Sequence, residues 1–128
     1  MRLEHVAINV ADPDAMAAWY VAHLGMRIVR HASSPNRTYF LADSQGQSVI
    51  EIYCNPAAAV PDYPAIAPLM LHFAFNTSDI ETDADRLIAA GAQAFAPIEQ
   101  TPAGDRLQFL RDPWHVTIQL AQRQNPLL

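Results

Sequence analysis

Two histidines sit in the same short pattern. His5-Val6-Ala7-Ile8-Asn9-Val10-Ala11-Asp12 is echoed by His72-Phe73-Ala74-Phe75-Asn76-Thr77-Ser78-Asp79, with His, Ala, Asn and Asp identical and in register. A second echo links Phe40-Leu41-Ala42-Asp43 to Phe109-Leu110-Arg111-Asp112. With one residue lost from the turn that follows, Glu51 falls opposite Gln119. His5, Glu51, His72 and Gln119 are therefore two structural positions, each used twice. Two imidazoles, one carboxylate and one amide oxygen suit a divalent metal such as Zn²⁺, Ni²⁺, Co²⁺, Mn²⁺ or Fe²⁺. With the imidazoles taken up as metal ligands, Glu51 is the only metal-shell residue able to move a proton, which makes it the candidate catalytic residue. Solvated or structural roles are commoner for strand histidines and glutamates. Here, however, Glu51 lies between Ile50 and Ile52, and His72 between Leu71 and Phe73. Burying such groups unpaired costs several kcal/mol, so they need partners, and a metal supplies one.

The elements that must position these residues read as one unit repeated. Leu3 to Val10 alternates as a strand, with Val6, Ile8 and Val10 on one side and His5, Ala7 and Asn9 on the other. Asp12 caps a helix that opens on Pro13, carries Met16, Trp19, Tyr20 and Leu24 at helical spacing, and stops at Gly25. Strands are predicted at Met26–Ala32, Thr38–Ala42 and Ser48–Cys54. Residues 55–68 hold Pro56, Pro61, Pro64 and Pro68, and read as a stiff linker. The order then returns: strand Met70–Thr77, cap Asp79, a helix with Ile80, Ala84, Leu87 and Ile88 closed by Gly91, and strands Ala92–Ile98, Arg106–Leu110 and Val116–Ala121. The expected fold is α+β, two βαβββ modules in tandem: module 1 at about 1–54, linker 55–68, module 2 at about 69–123.

Within the last strand of each module the alternation separates two faces. Glu51 shares a side with Val49 and Tyr53, and Gln119 with Thr117, while Ile50, Ile52, Val116, Ile118 and Leu120 point the other way, under the helices. The histidine and Glu/Gln faces are expected to look into a common concavity. Asn9, Tyr53, Asn76 and Thr117 share those faces and are candidates for the substrate pocket.

A chain of 128 residues is one ordinary domain's worth of sequence, and its 51% hydrophobic content is ample for a core. A net charge of −5 leaves no basic excess to neutralise phosphates, which argues against a nucleic-acid partner. The single cysteine, Cys54, rules out an intramolecular disulfide and fits a reducing compartment. No signal-peptide pattern precedes the first strand, and no apolar run approaches the ~20 residues that span a bilayer. A cytoplasmic protein with no membrane partner is the expectation.

In its module order and in the placement of His5, Glu51, His72 and Gln119, the chain resembles the vicinal oxygen chelate superfamily. That group holds glyoxalases, epimerases, extradiol dioxygenases and bleomycin resistance proteins. Trp19-Tyr20-Val21-Ala22-His23-Leu24-Gly25-Met26 is similar to the family's aromatic-Tyr-x-x-x-Leu-Gly-aromatic segment. Leu110-Arg111-Asp112-Pro113 through Ile118-Gln119-Leu120 is similar to its Asp-Pro-Asp-Gly-Asn-x-Ile-Glu-Leu ending. Two departures stand out: Trp114-His115-Val116 replaces Asp-Gly-Asn, and Gln119 replaces the last-strand Glu. The resemblance implies glyoxalase-like incurved sheets, a divalent metal, a small-molecule substrate, and a glyoxalase- or epimerase-like isomerase or lyase working through a metal-stabilised enediolate. A metal-free drug-binding resistance protein and an Fe(II) extradiol-type dioxygenase, with His5, His72 and Glu51 as its triad, are the alternatives. The resemblance also implies a homodimer, in which the exposed edges of half-closed sheets are covered.

Overall fold

The computed structural model describes residues 1–127 as two compact units, Met1–Pro61 and Asp62–Leu128, of which Leu128 lies outside the described residues. The first unit contains β1 (Val6–Asn9), α1 (Pro13–Leu24), β2 (Arg27–Ala32), β3 (Thr38–Ala42) and β4 (Val49–Tyr53). Its sheet runs β1-β4-β3-β2, with β1 parallel to β4 and the other pairs antiparallel. The second contains β5 (Phe73–Asn76), α2 (Ile80–Ala89), β6 (Gln93–Ala94), β7 (Glu99–Gln100), β8 (Arg106–Arg111) and β9 (Thr117–Gln122). Its sheet runs β5-β9-β8-β6, with β7 also pairing β8, and β5 is parallel to β9 as β1 is to β4.

Equivalent residues make equivalent local structure. Asp12 accepts from the Ala15 amide and Asp79 from the Thr82 amide, each satisfying a donor that the first helical turn leaves free. Gly25 takes φ 67° to end α1, a conformation that costs a residue without Cβ nothing. Asp43 accepts from the Gln47 and Ser48 amides, and Asp112 from those of Trp114 and Val116, so the same carboxylate closes the last hairpin of both units. α1 packs on β3 and β4, and α2 on β8 and β9. Beneath the helices lie the buried Leu41, Ile50 and Ile52 in one unit, and Leu110, Ile118 and Leu120 in the other.

Three expectations need correction. The ladders start at Val6↔Ile50 and Phe73↔Ile118, so His5 and His72 stand one residue before β1 and β5 rather than inside them. The strand expected over Ala92–Ile98 is two short pieces, β6 and β7, on either side of Pro97, whose ring removes a ladder donor. The proline-rich stretch is not spacer throughout. From Asp62 it belongs to the second unit, turning as a short 3₁₀ helix at Tyr63–Ala65 with Tyr63 buried. Arg111 holds it there: Nη1 donates to Tyr63 O at 3.0 Å and to His115 O at 2.8 Å, and Nη2 to Ile66 O at 2.6 Å. Its guanidinium also lies over the Phe95 ring, 5.3 Å from the centroid.

Candidate metal and ligand site

In the first unit β4 presents Glu51 on the face away from α1, beside Phe40, its cross-strand partner on β3. His5 enters from the start of β1, whose Ala7 lies opposite Glu51. The imidazole meets Phe40 edge-on, centroids 5.5 Å apart and planes at 85°, and places Nε2 3.2 Å from Glu51 Oε2. The second unit repeats this. Gln119 pairs across the sheet with Phe109, and His72 meets Phe109 edge-on at 5.2 Å and 77°. The repeated phenylalanine restricts each imidazole on one side.

The ring nitrogens are not equivalent. His72 Nδ1 lies 2.8 Å from Pro68 O, and a carbonyl only accepts, so Nδ1 carries the hydrogen and Nε2 keeps the lone pair. His5 Nδ1 makes the same kind of contact with the Glu4 carboxylate. A neutral His5 then aims the Nε2 lone pair at an acceptor, Glu51 Oε2. That contact calls for a cation, either a proton on the ring or a metal between the two groups. With metal–donor bonds of about 2.1 Å, adjacent ligands stand about 3.0–3.4 Å apart, and the 3.2 Å separation fits. Anchoring Nδ1 on a carboxylate or carbonyl while Nε2 ligates is the usual support for a metal-bound histidine.

Gln119 is buried and its amide makes no hydrogen bond to the described residues, leaving its oxygen available as a ligand. Among the described residues no three His, Cys, Asp or Glu side chains gather as a metal cage; the first unit brings His5 to Glu51, and in the second His72 meets the ring of Phe109, the cross-strand partner of Gln119.

The four expected pocket residues divide. Asn9 is committed to structure: its amide donates to Asn55 O and Ala58 O and accepts from the Asn55 amide, tying down the chain that leaves β4. Tyr53 is half-buried on the Glu51 side of β4. Thr117 is buried beside Arg111, its cross-strand partner, and its hydroxyl has no hydrogen-bond partner among the described residues. Asn76 is exposed and lines a cleft of about 390 Å³ with Ala74, Ala121, Arg123, Pro126 and Leu127. Arg123, Ala121 and the tail from Pro126 were not foreseen; continuing the repeat past Gln119 would have drawn attention to the first two.

The family model for the Glyoxalase/Bleomycin resistance protein/Dioxygenase superfamily matches residues 2–120. The chain belongs to that superfamily. A glyoxalase family protein from Bacillus cereus shares its fold at a TM-score of 0.79 and 19% identity, over 95% of this chain and 93% of that one. An antibiotic binding protein from a Streptomyces species, TnmS3, matches at a TM-score of 0.71 and 21% identity, over 97% and 99%. A glyoxalase I mutant from Zea mays matches at a TM-score of 0.77 and 22% identity, over 97% of this chain but 46% of that one, so the chain spans about half its length. At such identities these three share the superfamily fold, and the fold hosts both catalysis and binding. No helix among the described residues is long and apolar enough to cross a membrane.

Proposed function

We propose that this superfamily member binds a divalent metal and acts on a small molecule as a glyoxalase- or epimerase-like isomerase or lyase. His5 and Glu51 would supply one half of the ligand set, and His72 and Gln119 the other. The observation that carries this reading is the 3.2 Å spacing of His5 Nε2 and Glu51 Oε2, which suits adjacent ligands of one metal, with Nδ1 of both imidazoles anchored. When bound, the metal supplies Lewis acidity and a charge that favours substrate oxygens. Glu51 takes a proton from carbon beside a carbonyl and returns it, because both imidazoles are committed as ligands with Nδ1 anchored and the Gln119 amide carries no acid–base group. Phe40 and Phe109 keep the rings from turning, and Gln119 contributes an oxygen without charge.

The test is elemental analysis of protein purified without a histidine tag, then loaded with Zn²⁺, Ni²⁺, Co²⁺, Mn²⁺ or Fe²⁺. About one metal per site is expected. His5→Ala and His72→Ala should each lose most of it with the circular dichroism unchanged. Wild-type protein that takes up none of these ions overturns the metal reading.

A second reading, metal-free binding of a drug-like molecule, is favoured by the 390 Å³ cleft and by the likeness to TnmS3. It is distinguished by ligand binding that metal removal leaves unchanged and by the absence of turnover.

A further inference from the structure

The two units repeat each other closely up to Glu51 and Gln119 and then part. Registers Asn9↔Tyr53 and Asn76↔Ala121 make these two pairs equivalent, two residues along from the candidate ligands. In the first unit the position beside Glu51 holds the large Tyr53, and the Asn9 amide is fully engaged with residues 55 and 58. In the second unit the large ring is replaced by Ala121, and Asn76 makes no side-chain hydrogen bond to the described residues. Ala74 and Ala121, on neighbouring strands, leave a hollow next to Gln119. Pro126 and Leu127 form an apolar wall.

One more substitution gives the hollow a charge. Two residues past Tyr53 the first unit has Asn55; two residues past Ala121 the second has Arg123. Arg123 is about a quarter exposed and lines the cleft, and among the described residues only its Nη1 is engaged, on Asp105 Oδ2 at 2.8 Å. Asp105 is itself held by the Gln124 amide, so it orients the guanidinium while Nε and Nη2 bond no described residue.

We propose that this cleft receives a small organic anion with a flat or aliphatic body, a carboxylate or sulfonate bonded by Arg123 and the Asn76 amide. The apolar body lies over Ala74 and Ala121, against Pro126 and Leu127. This rests on the reading that the Gln119 face of the second sheet receives the small molecule, and does not require a metal. The cleft thus names the substrate class as monoanionic with an apolar body.

The experiment uses 2-naphthoate and its neutral isostere 2-naphthamide as probes on metal-stripped, isotope-labelled full-length protein, followed by amide chemical shifts. Naphthoate should shift the amides of Ala74, Asn76, Ala121 and Arg123 and bind about tenfold more tightly than naphthamide, the scale of a charge-assisted hydrogen bond. Arg123→Gln should abolish that preference, and Asn76→Ala should weaken naphthoate. Ala121→Tyr, which restores the first unit's residue, should block both probes. Shifts confined to other residues, equal binding of both probes, or an unchanged preference in Arg123→Gln overturns the proposal. So do shifts at these four amides that follow protein concentration without probe, since a second copy would then fill the cleft. Failure to load metal would leave naphthoate binding intact, so the two proposals fail separately.

Discussion

Replacing Arg111 by methionine keeps the buried hydrocarbon stem and removes every donor. The guanidinium makes three bonds to carbonyls, at 3.0, 2.8 and 2.6 Å, and no ion pair with a described carboxylate. Hydrogen bonds from a charged donor contribute about 1.5–3 kcal/mol each. Against this, the variant no longer has to desolvate a cation, which returns several kcal/mol. What remains is the cost of two orphaned carbonyls, Ile66 O and His115 O, since Tyr63 O still accepts from the Ile66 amide, at about 1 kcal/mol each where water reaches them in part, together with the cation–π contact at about 0.5–1 kcal/mol. The expected loss is about 3 kcal/mol in urea unfolding. Amide exchange at 63–66 should accelerate well beyond the global change, because the segment loses its own anchor. Arg111→Lys should recover less than half, since one ammonium cannot reproduce the fork. A methionine variant within about 0.5 kcal/mol of wild type, with protection at 63–66 unchanged, would refute this reasoning.

Glu51→Gln should cost on the order of 10²–10⁴-fold in turnover, whereas Gln119→Glu should raise metal affinity; both are compared at matched metal content, and full activity in Glu51→Gln would place the base elsewhere. The Thr77 hydroxyl bonded to Asp83 holds that carboxyl below the usual range, against burial and with help from Arg86. The resulting stability is present at neutral pH and lost as pH falls through the depressed value, so Thr77→Val should destabilise most at neutral pH and the gap should narrow in strong acid to what the lost Asp79 amide bond costs, as read by urea midpoints. Light scattering at micromolar concentration should return twice the 14.2 kDa chain mass, and a monomer would count against the homodimer.

Helix caps and core faces were legible because they rest on local rules. Asp12 and Asp79 sit where first-turn amides need an acceptor, and Ile50 and Ile52 alternate with Glu51 around a strand period of two. Residues 62–66 were not legible, because their order comes from Arg111, far along the chain, and no proline pattern encodes that bond. Asn9 and Asn76 were legible as equivalent but not as different. Their divergence lies in what surrounds them, a backbone loop in one case and the cleft in the other. The Phe40 and Phe109 echo was visible in the sequence, but its use as a brace for the imidazoles required the register of β3 on β4 and β8 on β9.

The doubled His–Phe contact gives this molecule an internal control. Fluorine placed on both phenylalanine rings would report two nearly matched surroundings, His5 with Phe40 and His72 with Phe109, from one sample and one titration. A cation shared by both pairs must move the two resonances with a single binding curve. Cations taken up independently must produce two curves. The repeat thereby turns the question of one centre or two half-centres into a difference between two lines of the same spectrum.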